Sequence, residues 1–245
     1  TEVCEKCGYE HEVHNSCRDR HCPVCQGANR AEWTLRRKQE LLPVTYFHVV
    51  FTLPECLNPT MLASRTEAFA SLFEAASQTL KIFGEKHGVQ LGITAVLHTW
   101  GSALTFHPHL HCIVTGGGTD LKTGKWKNLP WVGRKKGSAE PFLFPVHALS
   151  KMFRAKFMAS FSGKVILPSH LREQSFAKPW CVYAKSPVCG PEKVVEYLAR
   201  YAYRIAISND RIISVDTATV TFAYKDYRRG GVMQMMRLNG LEFIR

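Results

Sequence analysis

The chain has 245 residues, 45% hydrophobic and 21% charged, which is enough apolar material for a real core and too much for a disordered chain. It contains no apolar run of the roughly 18 residues a membrane span needs, and no signal peptide is visible. Lysine and arginine outnumber aspartate and glutamate 32 to 20, and the net charge of +12 points to a polyanionic partner, most simply nucleic acid.

Residues 1–28 are rich in Cys and His and poor in large aliphatic side chains, so they cannot build an apolar core alone. They are expected to form a small zinc-binding module. Residues 29–42 read as a helical connector that ends at Pro43. The texture then changes, and residues 43–245 read as one larger α+β domain. Residues 45–53 are β-branched and aromatic and predict a strand. Residues 64–83 predict an amphipathic helix, because Phe69, Leu72, Phe73, Ala76, Leu80 and Phe83 keep a helical stripe, with Gly84 and Gly88 near its end. Residues 93–100 and 105–114 read as two strands joined by a short Gly-Ser turn. Residues 115–138 read as a loop or an irregular hairpin. A second amphipathic helix is expected over 146–161 and a short strand over 180–183. Pro191 opens a helix at its favoured first position, running to about Tyr203. Residues 204–224 alternate and predict short strands with a turn at Asn209-Asp210. The sequence begins at Thr1 rather than Met and stops inside what reads as a new helix, so a fragment of a longer protein is expected.

Five of the nine cysteines fall in the first 25 residues, and the odd total and scattered remainder fit a reducing compartment better than a disulfide scaffold. Cys4-x-x-Cys7 and Cys22-x-x-Cys25 each supply two thiolates, the number a tetrahedral Zn²⁺ site requires from paired knuckles. Cys17, His11, His14 and His21 lie between them, so a substitution in this ligand set is open. No water-activating residue is evident, and the site reads as structural, standing in for the missing core.

His107-Pro-His109-Leu-His111 lies on the second strand of the 93–114 pair. Side chains alternate faces along a strand, so the three imidazoles share one face, with Leu110 and Ile113 expected on the other. His109 and His111 are candidate ligands for a divalent cation, since neutral imidazole nitrogens suit one and buried imidazoles need partners. If the two strands pair about a turn near Ser102-Ala103, His98 comes opposite or near His109 and becomes a candidate third ligand. Tyr197 and Tyr201 lie four apart on the helix that Pro191 opens, so both hydroxyls can reach one site, flanked by Arg200 and Arg204. Tyr203 is about half a turn off that face. Tyrosine is a poor nucleophile unless a cation polarises its target, so the histidines and the tyrosines strengthen each other as a pair of motifs.

The pattern His-hydrophobic-His on a strand, followed by a YxxxY helix, resembles the two-tyrosine HUH endonucleases. More closely, Asn15-Ser-Cys-Arg-Asp-Arg-His-Cys-Pro-Val-Cys-Gln26, His107-Pro-His-Leu-His-Cys112 and Tyr197-Leu-Ala-Arg-Tyr-Ala-Tyr-Arg-Ile-Ala-Ile-Ser-Asn209 resemble the rolling-circle transposases of the IS-ninety-one-like insertion sequences. Tyr203 departs from that pattern, where a histidine is expected. The resemblance implies a central antiparallel sheet with packed helices and the metal-binding histidines on a middle strand. It implies a tyrosine that attacks single-stranded DNA, leaving a 5′-phosphotyrosine link and a free 3′-OH, with Mg²⁺ or Mn²⁺ at the scissile phosphate. It also implies the ends of a mobile element and target DNA as partners, and a bacterial cytoplasm, on the nucleoid, as the location.

The excess positive charge lies after residue 42, because residues 1–42 are balanced in sign. Residues 121–138 hold Lys122, Lys125, Lys127, Arg134, Lys135 and Lys136, with Trp126 and Trp131 among them and no acidic residue. Cations for phosphates and aromatics for bases is how single strands are held. Lys185, just before the tyrosine helix, is a further candidate contact. A rolling-circle replication initiator or relaxase would use the same nuclease core, and a zinc-dependent DNA-binding protein without catalysis is the alternative from another class.

Overall fold

The computed structural model describes residues 2–11, 15, 17, 22–130, 143–185, 191–202 and 206–244. The chain opens with a small antiparallel hairpin, β1 (Glu2–Val3) and β2 (Glu10–His11), turning at Gly8 with φ +69°. Helix α1 (Pro23–Glu40) follows, with Cys22 as its N-cap and Pro23 in the first turn, where its missing N–H costs nothing. The second Cys knuckle and the connector therefore share one helix.

The main sheet is antiparallel throughout. Its strands are β3 (Tyr46–Thr52), β4 (Val89–Trp100), β5 (Phe106–Asp120), β6 (Trp126–Asn128) and β7 (Val182–Ala184), in the order β4-β5-β3-β7, with β6 also paired to β5. The 15-residue β5 thus lies between β3 and β4, and the histidine motif sits on an inner strand, as the resemblance implies.

One face of the sheet carries the main core. Phe47, Val49 and Phe51 of β3 and Leu110, Cys112 and Val114 of β5 point into it. Two long helices cover them, α3 (Arg65–Lys86) and α4 (Val146–Ser162), preceded by the short α2 (Asn58–Ala63) and followed by α5 (Ser169–Ala177). Leu72, Ala76 and Leu80 of α3 are fully buried with Phe153, Phe157 and Phe161 of α4. Removing one such phenylalanine side chain costs about 3–5 kcal/mol in a packed core. Phe73 departs from the expected stripe: it is 39% exposed, and Ala68 and Ala75 take the buried positions instead. Burial also pushes the Cys112 thiol up to about 12, which keeps it inert.

The opposite face is built differently. Helix α6 (Pro191–Ala202) lies on it beside α1, and Tyr46, Ile113 and Val194 form a small buried cluster with Trp33, Val96 and Tyr197 around it. Lys38 of α1 and Glu196 of α6 stand 3.5 Å apart across this helix pair. Ile113 therefore lies on the histidine side and not away from it. The reason is parity: it is two residues beyond His111, and successive side chains alternate.

Residues 115–120 are strand and not loop, because β5 continues through Gly116-Gly117-Gly118. Those glycines mislead a propensity reading, yet the crowded sheet requires them. A Cβ at Gly118 would run into the Gln90 carbonyl oxygen, and one at Gly117 would lie 2.5 Å from the Lys127 carbonyl oxygen.

A second, three-stranded antiparallel sheet follows, β8 (Ile212–Val215), β9 (Thr219–Asp226) and β10 (Val232–Asn239), in the order β10-β9-β8, ending in α7 (Gly240–Ile244). Arg211 donates to the Ser102 carbonyl oxygen and Ser102 Oγ donates to the Lys225 carbonyl oxygen, so this sheet docks on the β4–β5 turn.

Candidate functional site

His98 and His109 are direct partners across the β4–β5 ladder, and His111 is paired with Val96 one alternation further along. The expected turn between the strands spans Gly101 to Thr105, and Leu104 takes φ 59° to close it. The register shifts between His98 and Trp100, opposite the segment that holds Pro108, which has no N–H to give to the ladder. The imidazole centroids of His98, His109 and His111 are 4.7–5.3 Å apart, and one nitrogen from each lies within 4.8 Å of the other two. His98 and His111 are buried.

Hydrogen bonds orient these rings. His109 Nδ1 donates to the His107 carbonyl oxygen at 2.6 Å, which leaves Nε2 as a lone pair for the site. His98 lies parallel to the Trp100 ring, 4° between planes and 5.9 Å between centroids. Three ring nitrogens converging at one end of a sheet, two of them on buried rings, form a donor set that could hold a divalent metal ion.

A fourth histidine, overlooked in the sequence, joins them. His48 on β3 is buried, and its Nε2 is 2.9 Å from His111 Nδ1. The two ring planes differ by 4°, so the pair is linked nitrogen to nitrogen. On its other side His48 Nδ1 is 3.3 Å from the Tyr197 hydroxyl, and the two rings meet edge to face at 5.0 Å. Burial, and then the charge of Lys185, push the His48 pKa down from 6.5 to about 4, so the ring is neutral near pH 7. The available signal was its setting: one imidazole in the run Tyr46-Phe-His-Val-Val-Phe-Thr52 must find a partner if that strand is buried.

Lys185 completes this corner. Its backbone N–H donates to the His48 carbonyl oxygen at 2.9 Å, and its Nζ stands 5.6 Å from the centre of the Tyr197 ring. Tyr201 is one helical turn beyond Tyr197 on α6; of Tyr201 and Arg200 only the helix backbone is described. Tyr203 and Arg204 lie outside the described residues, as do Trp131, Arg134, Lys135 and Lys136, and His14 and His21.

The remaining basic residues are elsewhere. Lys122 and Lys125 occupy the β5–β6 turn, where Asp120 accepts the backbone N–H groups of Lys122 and Thr123. Lys127 is held by the His87 carbonyl oxygen at 3.0 Å and faces Asp120 at 3.9 Å. Asp120 is eleven residues along β5 from His109, about 36 Å at roughly 3.3 Å per residue, so this hairpin stands at the far end of the sheet from the histidines.

In the N-terminal region, Cys17, Cys22 and Cys25 offer thiols within 4.8 Å of one another, with Cys17 and Cys25 Sγ 3.6 Å apart. The Cys25 N–H points at Cys22 Sγ at 3.5 Å. Backbone N–H groups of Lys6 and Cys7 face the Cys4 thiol and lower its pKa. N–H groups aimed at sulfur favour thiolates, the form that binds zinc.

The family comparisons decide what this assembly belongs to. The family model described as "Putative transposase" matches residues 92–245, and that described as "Transposase zinc-binding domain" matches residues 1–53. The chain belongs to the IS91 family of transposases. Over its full length the chain is 40% identical to "Putative transposase y4qJ" of Sinorhizobium fredii (strain NBRC 101917 / NGR234). Over 90% of its length it is 30% identical to "Transposase for insertion sequence element IS801" of Pseudomonas savastanoi pv. phaseolicola. It spans 64% of the length of the first and 54% of the second. No solved structure matches it. Among the described residues, no helix is long and apolar enough to cross a membrane.

Proposed function

We propose that this transposase chain nicks and rejoins single-stranded DNA through a 5′-phosphotyrosine intermediate, with Tyr197 and Tyr201 as nucleophiles. The observation that carries the reading is the approach of Tyr197 to the histidine cluster: its hydroxyl is bonded to His48, which is bonded to His111. A tyrosine packed only as core would not need a polar chain leading to three convergent imidazoles.

His109 and His111, with His98 as the third ligand, would hold a divalent cation, Mg²⁺ or Mn²⁺, which would supply positive charge to the scissile phosphate. The tyrosine oxygen forms the new bond to phosphorus as the bond to the 3′ oxygen breaks. The tyrosine proton passes to water, and the 3′ oxygen takes one up to leave as 3′-OH. The phosphotyrosine bond conserves the energy of the bond broken, so rejoining needs no ATP. Lys185, beside the Tyr197 ring, offers a cation to a neighbouring DNA phosphate, and Arg200 and Arg204 flank the tyrosines in sequence for the same purpose.

Lys122, Lys125 and Lys127, with Arg134, Lys135 and Lys136 after them, would hold the strand away from the cut, with Trp126 as a stacking platform. Structural zinc is assigned to Cys4, Cys7, Cys22 and Cys25, with Cys17 as an alternative ligand because of its distance to Cys25. The ends of the mobile element and target DNA are the proposed substrates, and the bacterial nucleoid the site of action. Purified protein incubated with a single-stranded oligonucleotide and Mn²⁺ should give a covalent protein–DNA species that survives denaturing electrophoresis. A zinc-dependent binding protein without catalysis would bind the oligonucleotide and leave no such species.

A further inference from the structure

We infer that His48 is a positioning residue that links the cation site to the nucleophile, setting the tautomer of His111 and donating a hydrogen bond to the Tyr197 oxygen. The inference rests on the reading of His98, His109 and His111 as the cation site and Tyr197 as a nucleophile.

His48 Nε2 and His111 Nδ1 face each other at 2.9 Å, so one proton lies between them and only one of the two nitrogens carries it. When His111 uses Nε2 as a ligand, that atom has no proton, and the neutral ring must carry it on Nδ1. His111 is then the donor and His48 Nε2 the acceptor. The single proton of neutral His48 is left on Nδ1, the atom 3.3 Å from the Tyr197 hydroxyl. Tyr197 Oη therefore accepts, and its own proton points elsewhere. A hydrogen bond donated to that oxygen favours its phenolate character, the nucleophilic form.

The opposite arrangement, with His48 as a base accepting the tyrosine proton, would place a proton on His48 Nε2. That proton would then point at His111 Nδ1 and force the His111 proton onto Nε2, where it blocks ligation. Cation binding and a donor hydrogen bond to Tyr197 thus come together, and a basic role for neutral His48 is excluded while His111 is a ligand. His48 is buried on β3, between β5 and β7, and its contact with His111 is buried with it.

Three measurements test this. In long-range ¹H–¹⁵N spectra of histidine-labelled protein, adding Cd²⁺ as a diamagnetic probe should leave His48 protonated on Nδ1 and His111 on Nδ1. A proton on His48 Nε2 in the Cd²⁺-bound protein overturns the inference. Second, His48→Phe keeps a planar side chain but removes both bonds. It should weaken Mn²⁺ binding roughly 10–100-fold, the usual effect of losing a partner of a ligating histidine. At saturating Mn²⁺ it should still form the covalent adduct at least tenfold more slowly. Third, His48→Gln can accept from His111 with its oxygen and donate to Tyr197 with its nitrogen, so it should recover a large part of both losses. If both variants melt like the parent and neither changes Mn²⁺ affinity or adduct rate, His48 is only packing. If His109→Ala and His111→Ala leave Mn²⁺ affinity untouched, the underlying cation reading fails instead, and the two failures are told apart.

Discussion

His98 and His109 face each other directly across the β4–β5 ladder, so a turn of a few residues brings a third imidazole to a motif that carries two on its own strand. This pairing leads to the first prediction. His109→Ala and His111→Ala should each abolish detectable Mn²⁺ binding and nicking, whereas His98→Ala should weaken Mn²⁺ binding by at least tenfold. Single-stranded DNA affinity should stay nearly constant in all three, because it depends on basic and aromatic groups. Titration of Mn²⁺ with the free ion followed by electron paramagnetic resonance checks the order. An unchanged affinity in His98→Ala would remove it from the ligand set.

Acid should destabilise the protein through His48. The unfolded chain takes up a proton on this imidazole below about pH 6.5, but the folded chain does so only near 4. Between those values the unfolded state binds more protons, so stability is complete above about 6.5 and falls as the pH drops toward 4. The span corresponds to roughly 3 kcal/mol. Urea unfolding at pH 7 and pH 4.5 should show the loss, and His48→Gln should lack most of it. Equal losses in both proteins would assign the acid sensitivity elsewhere.

Much of this arrangement is legible from residue spacing. The Pro191 helix, the α3 and α4 helices and the two histidine strands follow from periodicity, and the position of His98 follows from counting back around a short turn. What escapes is whatever depends on long-range partners. His48 meets His111 and Tyr197 from 63 and 149 positions away, and no local pattern announces either contact. The strand through Gly116 to Gly118 reads as loop because glycine has poor strand propensity, although close packing against Thr45 and Phe47, β6 and β4 in turn is what excludes a side chain there. Ile113 shows the reverse case, where period-two counting alone puts it on the histidine face.

Zinc should be removable by a single change in the second knuckle. Cys22→Ser should lower the zinc content from about one per chain to near zero, given four-ligand tetrahedral binding. The main sheet, whose core shares no residue with the knuckles, should keep its cooperative melt. Cys17→Ser distinguishes the two ligand sets, since retained zinc supports Cys4, Cys7, Cys22 and Cys25, and lost zinc places Cys17 in the shell. Metal analysis of reductively purified protein reads both, and the absence of zinc from the parent would refute the site.

The hairpin at the far end of β5 should contribute affinity without contributing to chemistry. Lys122→Ala with Lys125→Ala should weaken single-stranded DNA binding and reduce its salt slope by about 1.4, at about 0.7 per phosphate contact. The rate of adduct formation at saturating DNA should not change. Anisotropy titrations at several salt concentrations test it, and a slower adduct rate with unaltered affinity would contradict the placement.

In the proposed reaction α6 presents its tyrosines as nucleophiles to a phosphate at the histidine cluster. The most direct measurement is to trap the covalent adduct on a single-stranded oligonucleotide with Mn²⁺, digest the protein and find the nucleotide-bearing peptide by mass spectrometry. The expected adduct requires Mn²⁺ and maps to Tyr197 or Tyr201. It should persist at the remaining tyrosine in Tyr197→Phe or Tyr201→Phe and vanish in the double variant. An adduct on Tyr203, or an undiminished adduct in the double variant, would contradict it.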